Sequence, residues 1–244
     1  MQQLNLQGKT KEETAIEFIR ENEPPEGYAL FYSGGKDSEV VLHLAKLSSV
    51  KFESYYSMMP DPPELIRHIK QHHPEVTFLY PKMSFYGGVA KLYPPRRNGR
   101  WCCDHLKERP GKGVPYIHRL LGIRAEEGNN RKKYGSVHKF TKKRINYYPI
   151  FNWLEWEVWE YIDRHKIPYC CLYNEGFGRI GCIVCPLRAP SKAQELYRKK
   201  YPKHFERFER QVEKWWESGG WWRQTKRRYE MLLSEFLDNW YKGK

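Results

Sequence analysis

The sequence predicts an α/β domain reaching to about residue 190, followed by a helical C-terminal extension. Three observations carry this expectation. An apolar run of strand length ends in a glycine turn and passes straight into a helical pattern. Strand-like and helical stretches then alternate. From Ser191 onward only helical patterning remains.

Residues 10–23 read as an amphipathic helix with Ala15, Ile16, Phe18 and Ile19 apolar, broken by Glu23-Pro-Pro-Glu-Gly27. Residues 28–32 (Tyr-Ala-Leu-Phe-Tyr) are a strand that ends in the Ser33-Gly-Gly turn. Residues 39–47 follow as a helix that packs Val40, Val41, Leu44 and Leu47. That order is the first half of a βαβ unit. Residues 51–58 then predict a strand, 63–72 a helix and 76–80 another strand. Residues 83–115 are expected to be loop-rich, with Gly87-Gly88, Pro94-Pro95, Gly99 and Gly111-Lys-Gly113 as breakers. A strand is expected within residues 117–123 and a helix over 153–165, where the helical spacing of Trp153, Trp156 and Trp159 points to core rather than base-stacking residues. The extension is expected to break at Pro202 and at Ser218-Gly-Gly220. The chain is therefore divided into an N-terminal helix (1–24), the α/β domain (25–190) and the extension (191–244).

The net charge of +14 is uneven. Residues 91–144 hold 16 Lys and Arg against 4 acids, and residues 191–244 hold 14 against 8. Such fields attract polyanions, nucleotide phosphates or nucleic acid, although basic side chains also simply solvate a surface. In the extension Tyr197, Tyr201, Phe205, Phe208, Trp215, Trp216, Trp221, Trp222, Tyr229, Phe236, Trp240 and Tyr241 interleave with basic residues. These either stack on unpaired bases or pack as the apolar side of a helical appendage. Lys226-Arg227-Arg228 is the stretch best suited to touch a polyanion. No run of 18 apolar residues occurs, and residues 1–20 resemble neither a signal nor a transit peptide. A soluble, cytoplasmic protein with no membrane partner is expected.

Ser33-Gly-Gly-Lys-Asp-Ser38 lies between the strand and the helix, where backbone amides and a helix N-terminus can converge on one anion. Gly34 and Gly35 make the turn, Ser33 and Ser38 offer hydroxyls, and Lys36 supplies a full charge. Asp37 either caps the helix or holds a magnesium ion. The motif resembles the PP-loop of the ATP pyrophosphatase superfamily. Gly122-Ile-Arg124 with Glu127 and Arg131 resembles the G-I-R-x-x-E-x-x-x-R segment of the phosphoadenosine phosphosulfate (PAPS) reductase family, and residues 148–162 resemble its P-I-x-x-W-x-x-x-x-V-W-x-Y-I stretch. The resemblance implies a doubly wound, mostly parallel sheet of the adenine nucleotide alpha hydrolase type, with the ligand at the strand C-termini. It also implies ATP or another adenine nucleotide with Mg2+ as ligands. Arg124 and Arg131 would grip phosphate or sulfate, Glu127 would orient an arginine, and Lys36, Asp37, Arg124 and Glu127 form the catalytic set.

Six cysteines fall in three pairs, Cys102-Cys103, Cys170-Cys171 and Cys182-Ile-Val-Cys185. Soft thiolates suit zinc or an iron–sulfur cluster, and thiols without metal are the third reading. Cys102, Cys103, Cys182 and Cys185 are similar to the four ligands of the [4Fe–4S] cluster in the adenylyl-sulfate (APS) branch of the family. Cys170 and Cys171 read as buried apolar residues and remain a second choice of ligand pair. Sulfonucleotide reductases carry a nucleophilic cysteine in a Glu-Cys-Gly segment, and no such segment occurs here. The first expectation is therefore an ATP-consuming, adenylating enzyme that supports sulfur insertion. It resembles the PAPS-reductase-like component of DNA phosphorothioation systems and, more loosely, the tRNA-thiolating PP-loop enzymes. DNA or tRNA would be its acceptor, with a cysteine desulfurase or another protein as sulfur donor. A sulfonucleotide reductase and a non-catalytic nucleotide-binding subunit are the alternatives.

Overall fold

A computed structural model describes residues 8–141, 144–220 and 231–243. Helix α1 (Lys11–Glu21) begins at a capping box. The Glu13 amide donates to the Thr10 hydroxyl at 3.2 Å, and the Thr10 amide donates back to the Glu13 carboxylate at 2.8 Å. Ala15 and Ile19 form its buried side. Strand β1 (Tyr28–Phe31) follows, with Tyr28, Ala29 and Leu30 fully buried, as a strand covered on both faces requires. Helix α2 (Lys36–Ser48) starts inside the glycine motif, three residues earlier than the apolar pattern predicts, because Gly35 serves as its N-cap.

The remaining strands are β2 (Phe52–Ser57), β3 (Thr77–Leu79), β4 (His118–Leu120), β5 (Val137–Thr141) and β6 (Arg144–Tyr147). They form one sheet in the order β3-β2-β1-β4-β6-β5. β1 pairs in parallel with β2 and β4, β4 pairs in parallel with β6, and β5 is antiparallel to β6. The doubly wound, mostly parallel sheet is thus present. The chain runs outward from β1 to β3 and returns to β4 on the other side of β1. The order therefore reverses between β1 and β4, and ligands of open α/β sheets bind at the strand C-termini of such a switch point. Helix α3 (Pro63–His72) connects β2 to β3, and α5 (Glu155–Arg164) follows β6.

The chain forms two units that interleave in sequence. One is Met1–Tyr56, Pro63–Leu79 and Gly113–Cys171, and the other is Ser57–Pro62, Tyr80–Lys112 and Leu172–Lys244. This partition differs from the linear division at residues 24 and 190. The first unit contains the sheet. The second is helical, with α4 (Phe85–Lys91), α6 (Lys192–Lys200), α7 (Pro202–Glu217) and α8 (Leu233–Tyr241).

The second unit adds short helical pieces to residues 83–115, which the sequence marks only as loop-rich. Ser84 caps α4 through the Gly87 amide at 3.1 Å, and a π-helical turn spans Cys103–Glu108. Gly87-Gly88 reads as a breaker, yet a Cβ on Gly88 would sit 2.1 Å from the Trp101 ring, so this glycine admits the indole to the helix. Phe85 stacks on Trp101 at 6.0 Å and on Phe208 at 6.3 Å, and Phe208 meets Trp240 at 4.6 Å. Tyr197, Phe205, Phe208, Trp215, Phe236 and Trp240 are all buried. These, with Tyr201, are core and not open to bases, while Trp216 and Tyr241 are partly buried. Trp221, Trp222, Tyr229 and Lys226-Arg227-Arg228 lie outside the described residues.

Two further expectations are corrected. The sequence reading contains no β5–β6 pair, because Val137–Thr141 is a mostly exposed edge strand whose polar, basic residues give no buried period. Of the three tryptophans, Trp153 is buried but Trp156 is 53% exposed. The helix begins only at Glu155, and its buried side is Glu157, Val158, Tyr161 and Ile162. No helix among the described residues is long and apolar enough to cross a membrane.

Candidate functional site

Ser33 to Ser38 occupies the turn between the C-terminal end of β1 and the first turn of α2. Gly34 has φ +71°, and a Cβ there would meet Leu65 Cδ1 at 2.6 Å, so both conformation and space demand glycine. The Ser38 hydroxyl ties the turn together. It donates to the Gly35 carbonyl at 2.8 Å, accepts from the Ser33 amide at 3.2 Å and lies 3.0 Å from the Ser33 hydroxyl. Gly35 has no side chain to accept from the first-turn amides of α2. The Ser38 and Glu39 amides already donate to the Gly35 carbonyl, at 2.9 and 3.1 Å, so the Lys36 and Asp37 amides are the ones that, with the positive end of the helix dipole, suit an anion.

Lys36 is buried and lies 3.5 Å from Asp37 and 3.2 Å from Glu155, the first residue of α5. From the far side of the switch point, the segment after β4 closes on the same helix end. A Cβ on Gly122 would lie 2.7 Å from the Asp37 backbone carbonyl. Those are backbone atoms that cannot swing aside, so Gly122→Ala is expected to destabilise the fold by about 1–3 kcal/mol. Gly128→Ala, which meets nothing within 4 Å, should be near neutral. Paired urea denaturation midpoints would check this, and equal midpoints would contradict it.

Arg124 is buried and clamps Asp37, with Nε 2.5 Å from Oδ1, while its Nη1 is 2.5 Å from Glu126 and 3.4 Å from the Trp153 carbonyl. Burial opposes its charge, but Asp37, with Glu126 and Glu127, outweighs that and holds the guanidinium above its ordinary value. Glu127 accepts from the Arg124 amide at 3.1 Å and from the Arg131 guanidinium. The oriented arginine is therefore Arg131, which remains partly exposed. Asp37 is committed to Arg124 and Lys36, the position of an anchor between the two motifs. Glu126 and Glu155 complete the network, since the Glu155 amide donates to Glu126 at 2.7 Å. Sequence reasoning passed over both. Glu155 was legible only as a residue inside the helix expected over 153–165.

The four cysteines Cys102, Cys103, Cys182 and Cys185 all lie in the second unit. Hydrogen bonding between Cys102 and Cys103 raises the first thiol and lowers the second, and Cys182 and Cys185 press Cys102 further up. Cys182 is half-buried as a residue, but its thiol is shut away, and burial, followed by Asp61 and Cys185, raises it. The four thiols therefore share one electrostatic neighbourhood. Ile183 and Val184, both buried, root the Cys-x-x-Cys turn, and the Ile183 amide donates to the Pro60 carbonyl at 2.8 Å. Arg188 donates to the Cys182 carbonyl and stacks over Tyr197 at 3.6 Å. Cys170 is buried and Cys171 exposed, and both belong to the other unit. Among the described residues no three cysteine sulfurs lie within 4.8 Å of one another.

Comparison with known proteins places this geometry. Residues 27–188 match the phosphoadenosine phosphosulfate reductase domain. The chain is 32% identical over 191 residues to an uncharacterised protein of Methanocaldococcus jannaschii, covering 73% of this chain and 40% of that one. It is 25% identical over 194 residues to the adenosine 5'-phosphosulfate reductase of Shouchella clausii, covering 72% and 79%. The chain spans about half the length of the first curated relatives it matches. In fold it is similar to the phosphoadenylyl-sulfate reductase of Candida auris, crystallised as a phosphate complex, with TM-score 0.56 and 18% identity over 69% of this chain and 88% of that one. The domain match takes in every strand of the sheet and both loops at its switch point, and the chain belongs to the phosphoadenosine phosphosulfate reductase family of PP-loop proteins.

Proposed function

We propose that this protein is an adenine-nucleotide-binding enzyme that adenylates its substrate with ATP in support of sulfur transfer, with nucleic acid (DNA or tRNA) as the acceptor class. The observation that carries the reading is the loop Ser33–Ser38 at the switch point, held between the α2 N-terminus and Gly122. A nucleotide α-phosphorus placed there loses pyrophosphate when a substrate oxygen attacks it. The developing charge on the leaving group would be met by the first-turn amides, the Ser33 hydroxyl and Lys36. Mg2+ would arrive with the triphosphate, because it favours phosphate oxygens and water with few carboxylates. Asp37 would hold Arg124 in place, and Arg131, oriented by Glu127, would face the ligand.

Cys102, Cys103, Cys182 and Cys185 are the residues suited to hold a [4Fe–4S] cluster. Their chemistry fits, with four soft donors in one neighbourhood near the cationic Lys107. Such a cluster would supply one-electron chemistry. A cysteine desulfurase or another persulfide-bearing protein would be the sulfur donor.

The second reading is a sulfonucleotide reductase, favoured by the match to the Shouchella clausii enzyme. Attack on an activated sulfate needs a thiolate, so the two readings separate by product. Incubation with ATP, Mg2+ and oligonucleotide acceptors is expected to release pyrophosphate. Incubation with APS or PAPS, thioredoxin and reductant is expected to release no sulfite. Catalytic sulfite that disappears in Cys170→Ser or Cys171→Ser would reverse the order of the two readings.

A further inference from the structure

Outside the phosphate loop and the cysteines, one cluster combines three metal-ligating side chains in the interior. We propose that Glu39, His68 and His73 form a buried site for a divalent first-row transition ion, with zinc as the type, adjoining the phosphate loop. Glu39 is the residue after Ser38 in the first turn of α2, His68 lies on α3, and His73 follows the end of α3. Their exposures are 1%, 6% and 7%. One donor atom from each lies within 4.8 Å of the others, the only such trio among the described residues.

The geometry within the trio is unusual for a set of plain hydrogen bonds. His68 Nε2 lies 2.7 Å from Glu39 Oε1. His73 Nε2 lies 2.8 Å from Glu39 Oε2, at ion-pair distance, and with His68 it holds the buried carboxylate low against its burial, but the contact is off line for a well-formed hydrogen bond. A buried carboxylate oxygen and a buried imidazole nitrogen left in that state are costly. A cation between them satisfies both. Two neutral imidazoles and one carboxylate are also a known donor set for zinc, with bonds of about 2.0–2.2 Å. The rings need open by only about half an ångström to admit it.

The surroundings support the same reading. The Tyr32 hydroxyl donates to Glu39 Oε1, and burial keeps that phenol protonated, so the carboxylate is turned to present Oε2. The Tyr32 ring meets His73 edge-on at 5.2 Å. Glu75 faces the other nitrogen of His73 at 3.7 Å, and His72 stands 4.9 Å from the His68 ring. Tyr32 and Glu39 flank Ser33–Ser38 on either side, so an ion here would tie both ends of the loop to α3. With every donor buried, its role is structural, and the site stands independently of any nucleotide reading.

Cobalt titration tests this, because Co2+ on nitrogen and oxygen shows d–d bands alone, while Co2+ on thiolate adds intense sulfur-to-metal charge transfer. The chelator-treated wild-type protein is expected to take up one Co2+ per chain that adds d–d bands without charge transfer, beyond any cobalt bound at the four thiols, and Zn2+ should displace it. Glu39→Gln and His73→Gln should each weaken uptake at least about 100-fold, and His72→Gln should leave it unchanged. Folded wild-type protein that takes up cobalt only on thiolate would overturn the proposal, whatever the variants do. So would wild-type affinity in folded Glu39→Gln.

Discussion

Lys36→Ala is expected to weaken binding of ATP, or of a non-hydrolysable adenylyl analogue, by about tenfold or more while leaving the fold intact. A charge-assisted contact to phosphate contributes about 1.5–3 kcal/mol, and each 1.4 kcal/mol is a factor of ten in affinity. The structure separates the two effects. Glu155, one partner that Lys36 would leave behind, is half exposed, so water takes over its solvation when the ammonium is removed. Asp37 keeps Arg124. Ser38→Ala is expected to weaken binding by another route, since the hydroxyl joins Ser33 to Gly35 and fixes the path of the amides. Calorimetric titration of both variants, with circular dichroism to confirm folding, would check the pair. Unchanged affinity in both folded variants would remove this loop from the nucleotide reading.

Much of this site was legible because its signals are local. Ser-Gly-Gly after an apolar strand specifies a turn whatever surrounds it, whereas Gly122 was marked only by the family resemblance, and its close approach depends on β4 running parallel beside β1. What was not legible depends on distant partners. Glu126 and Glu155 look like ordinary helix-start acids until the fold brings one to Arg124 and the other to Lys36. Glu39 marks only the start of a helix in the sequence, yet it is almost fully buried, with His68 and Tyr32 bonded to it. The same limit explains α4, whose glycines signal a break unless one knows that Trp101 lies against them. It also explains the exposed edge strand β5, whose basic residues carry no periodic apolar signal. Burial in these cases is a property of pairs far apart in sequence, and periodicity registers only neighbours.

Replacing Cys103, Cys182 or Cys185 by serine is expected to abolish iron content and to lower stability, while Cys170→Ser and Cys171→Ser should keep the iron. If the four thiols hold a cubane, anaerobically prepared protein should be brown, with about four irons and four sulfides per chain. A site formed only in the native state stabilises that state by its binding free energy. Here it would also join the turn after Trp101 to the Cys182–Cys185 turn, closing a loop of about 80 residues in the chain. Loss of one ligand should therefore lower the unfolding midpoint well beyond the effect of a surface substitution. Serine is nearly isosteric with cysteine, so a fall that tracks iron content reflects the metal and not the packing. Cys170 supplies the control, since it is buried in the sheet unit, where Cys170→Ser would disturb packing without touching iron. Colourless protein with about one zinc per chain would replace the cubane by a closed tetrahedral thiolate site, which requires the sulfurs to close to within bonding range of a single ion. Iron retained in the Cys103 and Cys182 variants but lost on changing Cys170 or Cys171 would assign the ligands to the other pair, against the shared electrostatic neighbourhood of the four thiols in the second unit.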